Sequence, residues 1–144
     1  MFMGEYHHNI DEKGRLTIPS KIRYELGEEF IVTRGLDNCL FVYPKEAWNN
    51  IIAEYKKLPN TKDARNFMRF FLSGATICTF DKQGRINIPV PLTAYADLIK
   101  ECIIIGVDDR LEVWSKKRWE EFVSENEPNY SEIAEKLFTP KLDV

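Results

Sequence analysis

The sequence predicts an α+β fold: a small β core, strand-swapped or barrel-like, made from one unit used twice and flanked by peripheral helices. Three observations carry this. Asp11-Glu12-Lys13-Gly14-Arg15-Leu16-Thr17-Ile18-Pro19 recurs as Asp81-Lys82-Gln83-Gly84-Arg85-Ile86-Asn87-Ile88-Pro89, an offset of 70 (81 − 11). Gly35-Leu36-Asp37-Asn38-Cys39-Leu40-Phe41-Val42-Tyr43 then answers Gly106-Val107-Asp108-Asp109-Arg110-Leu111-Glu112-Val113-Trp114, at an offset of 71 (106 − 35). Within each copy, short β-type runs alternate with amphipathic helical stretches. A duplication of this kind means one structural unit used twice. A unit of about 45 residues is close to the size at which a lone core is marginal, so the two copies are expected to share one core.

The elements follow in order. A first strand over Tyr6 to Asp11 meets a tight turn and a second strand over Arg15 to Ile18; the second copy repeats this over Thr76 to Asp81 and Arg85 to Ile88. Gly14 and Gly84 stand three positions after Asp11 and Asp81, where a bulged turn needs a residue of positive φ. Pro19 or Ser20 opens a short helix that Gly27 stops, and Pro91 opens its counterpart. Two apolar β runs follow in each copy, around Asp37-Asn38 and Asp108-Asp109, which read as turn formers. The run Cys102 to Ile105 reads as a strand buried on both faces. Trp48, Ile51, Ile52 and Tyr55 at i, i+3, i+4 and i+7 give a closing helix; Trp119, Phe122 and Val123 repeat it. Between the copies, Asn60 is the expected cap of a helix ending at Leu72, with Phe67, Phe70 and Phe71 on one side. After Pro128 a last helix carries Tyr130, Ile133, Ala134, Leu137 and Phe138 on one stripe, with an acidic opposite face. The expected division is repeat one over 5–50, a connecting helical segment over 51–75, repeat two over 76–120 and an acidic amphipathic tail over 121–144.

Of the 144 residues, 44% are hydrophobic and 30% charged, the balance of a soluble globular chain. No apolar run approaches the roughly 20 residues that span a bilayer, and Met1 to Glu5 lacks the basic start of a signal peptide. Cys39, Cys78 and Cys102 are odd in number, lack C-x-x-C spacing and sit in apolar runs. Buried reduced thiols in a cytoplasmic protein are expected. The net charge of −3 argues mildly against nucleic acid, but the distribution does not. Glu120 to Val144 holds seven carboxylates and two lysines, whereas Lys13 to Tyr24 holds Lys13, Arg15, Lys21 and Arg23 and no carboxylate. Charges beyond a Debye length are screened, so such a patch can bind phosphates on an acidic protein.

No catalytic constellation emerges. His7 and His8 are adjacent and point to opposite strand faces, no Cys or second His stands at ligand spacing, and neither a phosphate loop nor G-x-G-x-x-G is present. The expectation is therefore no enzyme, no metal, no cofactor and no small-molecule substrate. The Asp-x-x-x-Arg turn is the motif left to explain. Turn formation accounts for Asp11, Gly14, Asp81 and Gly84. It does not account for a guanidinium directly after the glycine, twice. Arginine's rigid fork suits phosphate and the O6/N7 edge of guanine, a carboxylate four positions earlier can orient it, and a β-hairpin tip is narrow enough for the major groove.

These turns, with Phe2-Met3-Gly4-Glu5-Tyr6, Thr33-Arg34-Gly35-Leu36-Asp37, Phe70-Phe71-Leu72-Ser73-Gly74-Ala75 and Trp114-Ser115, resemble the MraZ family of bacterial transcriptional regulators over nearly the whole chain. The resemblance implies two AbrB-like swapped-hairpin units around a shared small β-barrel core. It implies ring-shaped homo-oligomers in the cytoplasm, on the nucleoid. It also implies binding to short direct repeats in double-stranded DNA upstream of the protein's own operon, in the division and cell-wall gene cluster, usually as a repressor. Its DNA-contact motif maps onto Asp11 with Arg15 and onto Asp81 with Arg85. The residues themselves add an inequality: copy one offers Lys13, Arg15, Lys21 and Arg23, copy two only Lys82 and Arg85. The first copy is therefore expected to make most phosphate contacts. The competing expectation is a protein-interaction module, antitoxin-like or scaffold, that uses the same fold and the amphipathic stretch Tyr130 to Phe138.

Overall fold

The computed structural model describes residues 1–139; the last part of the expected 121–144 tail lies outside the described residues. The chain runs β1 (Glu5–Asn9), β2 (Arg15–Thr17), α1 (Ser20–Leu26), β3 (Glu29–Arg34), β4 (Leu40–Pro44), α2 (Lys45–Tyr55), α3 (Lys62–Ser73), β5 (Thr76–Thr79), β6 (Arg85–Asn87), α4 (Val90–Tyr95), β7 (Glu101–Val107), β8 (Arg110–Ser115), α5 (Lys116–Asn126), a 3-10 turn (Glu127–Asn129) and α6 (Tyr130–Phe138). The strands form a six-stranded antiparallel sheet, in the order β1-β7-β8-β4-β3-β5, and a separate two-stranded ribbon of β2 with β6.

The swap is explicit in the pairing. β1 of the first copy lies on β7 of the second, Tyr6 opposite Ile104, and β5 of the second lies on β3 of the first, Val32 opposite Thr76. By this register Val32 and Ile104 are equivalent, an offset of 72, one residue more than the glycine alignment suggests. The sheet stays open, with β1 and β5 as its edges, so the expected barrel does not close. β1 is also shorter than the expected Tyr6 to Asp11: Ile10 already bends toward β2 and makes one isolated bridge to Leu16.

Strand alternation sends side chains to opposite faces and builds two cores. Leu40, Val42, Ile104, Leu111 and Val113 face the ribbon and the short helices, where they meet Leu16, Ile18, Ile22, Ile86, Ile88 and Leu92. Phe41, Tyr43, Ile103 and Trp114 face the long helices and meet Trp48, Phe71 and Trp119. The result is three layers: ribbon with α1 and α4, sheet, then α2, α3 and α5. The aromatic face is tightly nested, with Trp48 stacked on Phe71 at 5.3 Å and Tyr55 edge-on to Phe67 at 5.0 Å. Thr61 caps α3, accepting from the Ala64 amide at 3.1 Å. The expected cap, Asn60, instead takes the Arg65 guanidinium at 3.2 Å. Ser115 caps α5 in the same way, through the Arg118 amide. All three cysteines are buried free thiols. No helix among the described residues is long and apolar enough to cross a membrane.

Candidate nucleic-acid interface

Each Asp-x-x-Gly-Arg segment folds into the same tip. The Gly14 amide donates to the Asp11 carbonyl at 3.0 Å, and the Asp11 amide donates to the Arg15 carbonyl at 3.0 Å; Gly84, Asp81 and Arg85 repeat this at 3.0 and 2.9 Å. Gly14 at φ +81° and Gly84 at φ +74° occupy the left-handed region that favours glycine. At Gly14, where the obstacle is backbone and not a movable side chain, space demands glycine as well. A Cβ on Gly14 would lie 2.5 Å from the Ile88 carbonyl oxygen, and one on Gly84 would overlap the Arg23 guanidinium.

The carboxylates hold the arginines. Asp11 Oδ1 accepts the amides of Lys13 and Arg15, both at 2.9 Å, while Oδ2 takes Arg15 Nε at 2.6 Å. Asp81 does the same with the amides of Gln83 and Arg85, both at 2.9 Å, and Arg85 Nε at 2.8 Å. The Arg15 backbone amide first, then its guanidinium, holds Asp11 below the usual carboxylate range; Arg85 does so for Asp81. Because each carboxylate grips Nε, the two Nη atoms at the fork's far end stay available. Among the described residues no protein group accepts a hydrogen bond from them.

The pairing of β2 with β6 brings the two tips together. Arg15 stands opposite Asn87, Leu16 opposite Ile86, and Thr17 opposite Arg85. Leu16 and Ile86 are fully buried, so by strand alternation Arg15, Thr17, Arg85 and Asn87 share the outer face. The arginines are diagonal neighbours on it, roughly 7–8 Å apart at the backbone. The sequence reading placed them on two separate hairpin tips; the structure makes them one surface, related by a pseudo-dyad at Leu16 and Ile86. Thr17 and Asn87 were not singled out as site residues. Their parity with the arginines within a three-residue strand was the signal that could have found them.

The swap also relocates cations. The Ile18 amide donates to the Gly84 carbonyl at 3.1 Å, and the Ile88 amide to the Gly14 carbonyl at 2.7 Å. Each short helix therefore starts beside the other copy's tip. Arg23 lies on Gly84 and covers it, leaving Gly84 buried where Gly14 is half-exposed. Lys13 and Lys82 are exposed within their own turns, and Lys21 is exposed in the first turn of α1. The inequality between copies is thus redistributed: Arg23 belongs to copy one in sequence and to copy two's tip in space.

Elsewhere, polar groups serve the fold. Arg110 binds Glu112 at 2.8 Å and lies 4.6 Å over the Phe41 ring, and Trp114 Nε1 donates to the same carboxylate at 3.1 Å. His7 pairs with Glu5 at 2.8 Å. Among the described residues no three His, Cys, Asp or Glu side chains converge on a metal-sized site.

A family profile described as "MraZ protein, putative antitoxin-like" matches the chain twice, over residues 1–70 and 71–141. The chain belongs to the MraZ family. A relative from Ligilactobacillus salivarius (strain UCC118), named "Transcriptional regulator MraZ", is 56% identical over 138 residues, which cover 95% of this chain and 96% of the relative. The two MraZ matches fall one on each interlaced copy, and each contains one Asp-x-x-x-Arg tip.

Proposed function

We propose that this protein is a sequence-specific DNA-binding transcriptional regulator that works as a homo-oligomer. The observation that carries the reading is the ribbon: two guanidinium groups, each gripped at Nε by its own aspartate, share one outer face with Thr17 and Asn87. A two-stranded ribbon fits the major groove. The diagonal spacing of the arginines is about two base-pair steps of roughly 3.4 Å each. Arg15 and Arg85 read guanine edges or grip phosphates. Lys13, Lys21, Arg23 and Lys82 add phosphate contacts around them. Since both tips form one ribbon, each chain reads one short DNA word.

One chain with six such cations binds weakly. Chains held side by side on spaced words gain through effective concentration, which favours direct repeats in the DNA and a closed ring of subunits in the protein. The family membership and the relative's name support the regulatory role. The target in this reading is the segment upstream of the protein's own operon in the division and cell-wall cluster, where occupancy of the promoter represses. A protein-docking module would need no duplicated arginine ribbon, so the DNA reading is preferred over the antitoxin-like one.

The test is a salt-titrated binding assay on that upstream segment with wild type, Arg15→Ala, Arg85→Ala and Arg15→Lys. Losing a phosphate-contacting cation shallows the log–log salt slope by about 0.9. If Arg15 reads a base, Arg15→Lys keeps the slope but loses about 1–3 kcal/mol of discrimination. Copy order alone predicts the larger loss for Arg15→Ala. The placement of Arg23 at copy two's tip favours comparable losses. Unchanged affinity in both alanine variants would end the DNA reading.

A further inference from the structure

The two strands of the ribbon correspond residue by residue, yet their outer faces differ. Arg15 matches Arg85 and Leu16 matches Ile86, whereas Thr17 matches Asn87. A ribbon with identical outer residues on both strands would obey its pseudo-dyad fully. It would read a DNA word identical on both strands and dock on it equally well in either direction. Of the four outer side chains, Thr17 and Asn87 are the pair that breaks this symmetry. Strand preference explains the threonine but not the asparagine, a residue depleted in strands. Asn87 is exposed, and among the described residues its carboxamide has no hydrogen-bond partner.

The register assigns each of the two to one arginine. The Ile88 amide donates to the Gly14 carbonyl and the Ile18 amide to the Gly84 carbonyl. Ladder bonds alternate along an antiparallel pair, so Arg15 with Asn87 and Thr17 with Arg85 are the non-hydrogen-bonded pairs. Side chains lie closest in such pairs, with Cα atoms about 4.5 Å apart. The tips agree. Asn87 Oδ1 is 3.5 Å from where a Cβ on Gly14 would stand, beside Arg15, whereas the equivalent place at Gly84 is taken by the Arg23 guanidinium. Thr93, the counterpart of Arg23 in copy two, turns its hydroxyl onto the Val90 carbonyl at 3.0 Å. One tip thus presents a guanidinium with a carboxamide beside it; the other presents a guanidinium with a threonine and a second guanidinium.

A carboxamide meets adenine through two hydrogen bonds, at N6 and N7, as a guanidinium meets guanine at O6 and N7. Threonine has no such fork; it bonds singly to any base or touches the thymine methyl. We infer, resting on the DNA reading proposed above, that Asn87 reads an adenine next to a guanine read by Arg15. The spacing of the pair suits neighbouring base pairs, stacked roughly 3.4 Å apart. No carboxamide stands beside Arg85, so this one contact gives the DNA word a direction and fixes which way each chain docks on it.

Selection of duplexes from a random library by the full chain tests it. Wild type should yield a word with an adenine beside one of two guanines. Replacing that adenine should weaken binding about 5–150-fold, the worth of one two-bonded base contact. Asn87→Thr installs the residue that already stands at the equivalent place on β2, and circular dichroism checks that the variant is folded. It should lose the adenine preference and keep both guanines, so that its word reads the same on both strands. Arg15→Ala should become indifferent to the guanine beside the adenine, and Arg85→Ala to the other one. Exchanging the pair, Thr17→Asn with Asn87→Thr, should return the wild-type word with the roles of the two arginines reversed. The inference is overturned, with the DNA reading left intact, by a wild-type word that lacks this adenine, by an adenine preference that survives Asn87→Thr, or by one that stays tied to Arg15 after the exchange. A wild type that enriches no word, with both arginine variants binding as it does, removes the DNA reading and the inference with it.

Discussion

Asp11 and Asp81 each use both carboxylate oxygens, one on two backbone amides and the other on the guanidinium four positions on. That double duty is why the motif needs aspartate: asparagine can still accept the amides but cannot hold Arg Nε by charge. It also sets a pH dependence. Both carboxyls sit below their ordinary value in the folded chain, with the following arginine's backbone amide the largest cause. The unfolded chain, with aspartate near about 3.9, therefore binds protons more readily than the folded one in the acid range. Stability rises with pH through that window, is fully present above it, and is lost as pH falls through the depressed folded values. We expect the urea midpoint of wild type to drop more steeply below about pH 4 than that of Asp11→Asn with Asp81→Asn. Equal acid limbs would show that the tips are not held through these carboxylates. The thiols titrate in the opposite region: burial raises Cys78 and Cys102 to about 11, which keeps them protonated at neutral pH and slow to react.

At the scale of elements, α3 is fixed by a few specific contacts. Thr33 Oγ1, fully buried on β3, donates to the Phe71 carbonyl at 2.5 Å. Arg34 reaches the Phe70 carbonyl at 2.7 Å, and Phe71 fills the gap between Trp48 and Tyr55. Phe71→Ala should cost about 3–5 kcal/mol. Thr33→Val, which strands a buried carbonyl, should cost about 1–3. Because the two groups share one contact, urea denaturation of the double variant should show less than the sum of the single losses; strict additivity would mean that α3 is not docked as a unit. The sequence made this helix legible through its Phe67, Phe70 and Phe71 spacing and a nearby capping residue, missing the cap by one position because Asn60 and Thr61 both suit it. It did not make the β2–β6 pairing legible. Three-residue strands carry too little pattern to name a partner, and the partner lies 70 residues away. The arginines could be found by chemistry, but their shared face depended on a register that only the folded chain displays. Arg110 with Glu112 was equally hidden: nothing in their sequence says that the pair is half-buried, with Arg110 lying over the Phe41 ring.

For the whole molecule, the interlacing of the copies decides what half of it can do. Residues 1–75 contain β1, β2, α1, β3, β4, α2 and α3, yet β1, β2, β3 and β4 each lack a strand partner that the second copy supplies. A half-chain monomer would expose two sheet edges and the inner face of β2, losing Leu16's seat on Ile86. A half-chain dimer would lose none of this. The registers Arg15–Asn87, Leu16–Ile86, Thr17–Arg85 and Leu40–Val113, Phe41–Glu112, Val42–Leu111 are symmetric about Leu16 and Phe41 under the repeat offsets. A second half-chain can therefore stand in for copy two, with Leu16 on Leu16 and Phe41 on Phe41. The buried Glu112, which needs Arg110 and Trp114 to satisfy it, would be replaced by an aromatic that needs no partner. We expect residues 1–75 to be unfolded when dilute and to gain β and helical signal together with dimer mass as concentration rises, followed by circular dichroism and sedimentation. Folding and dimerisation would share one midpoint, as for an obligate dimer. A folded monomer of this half, independent of concentration, would mean that the shared core is dispensable and that the pairing between copies follows folding instead of causing it.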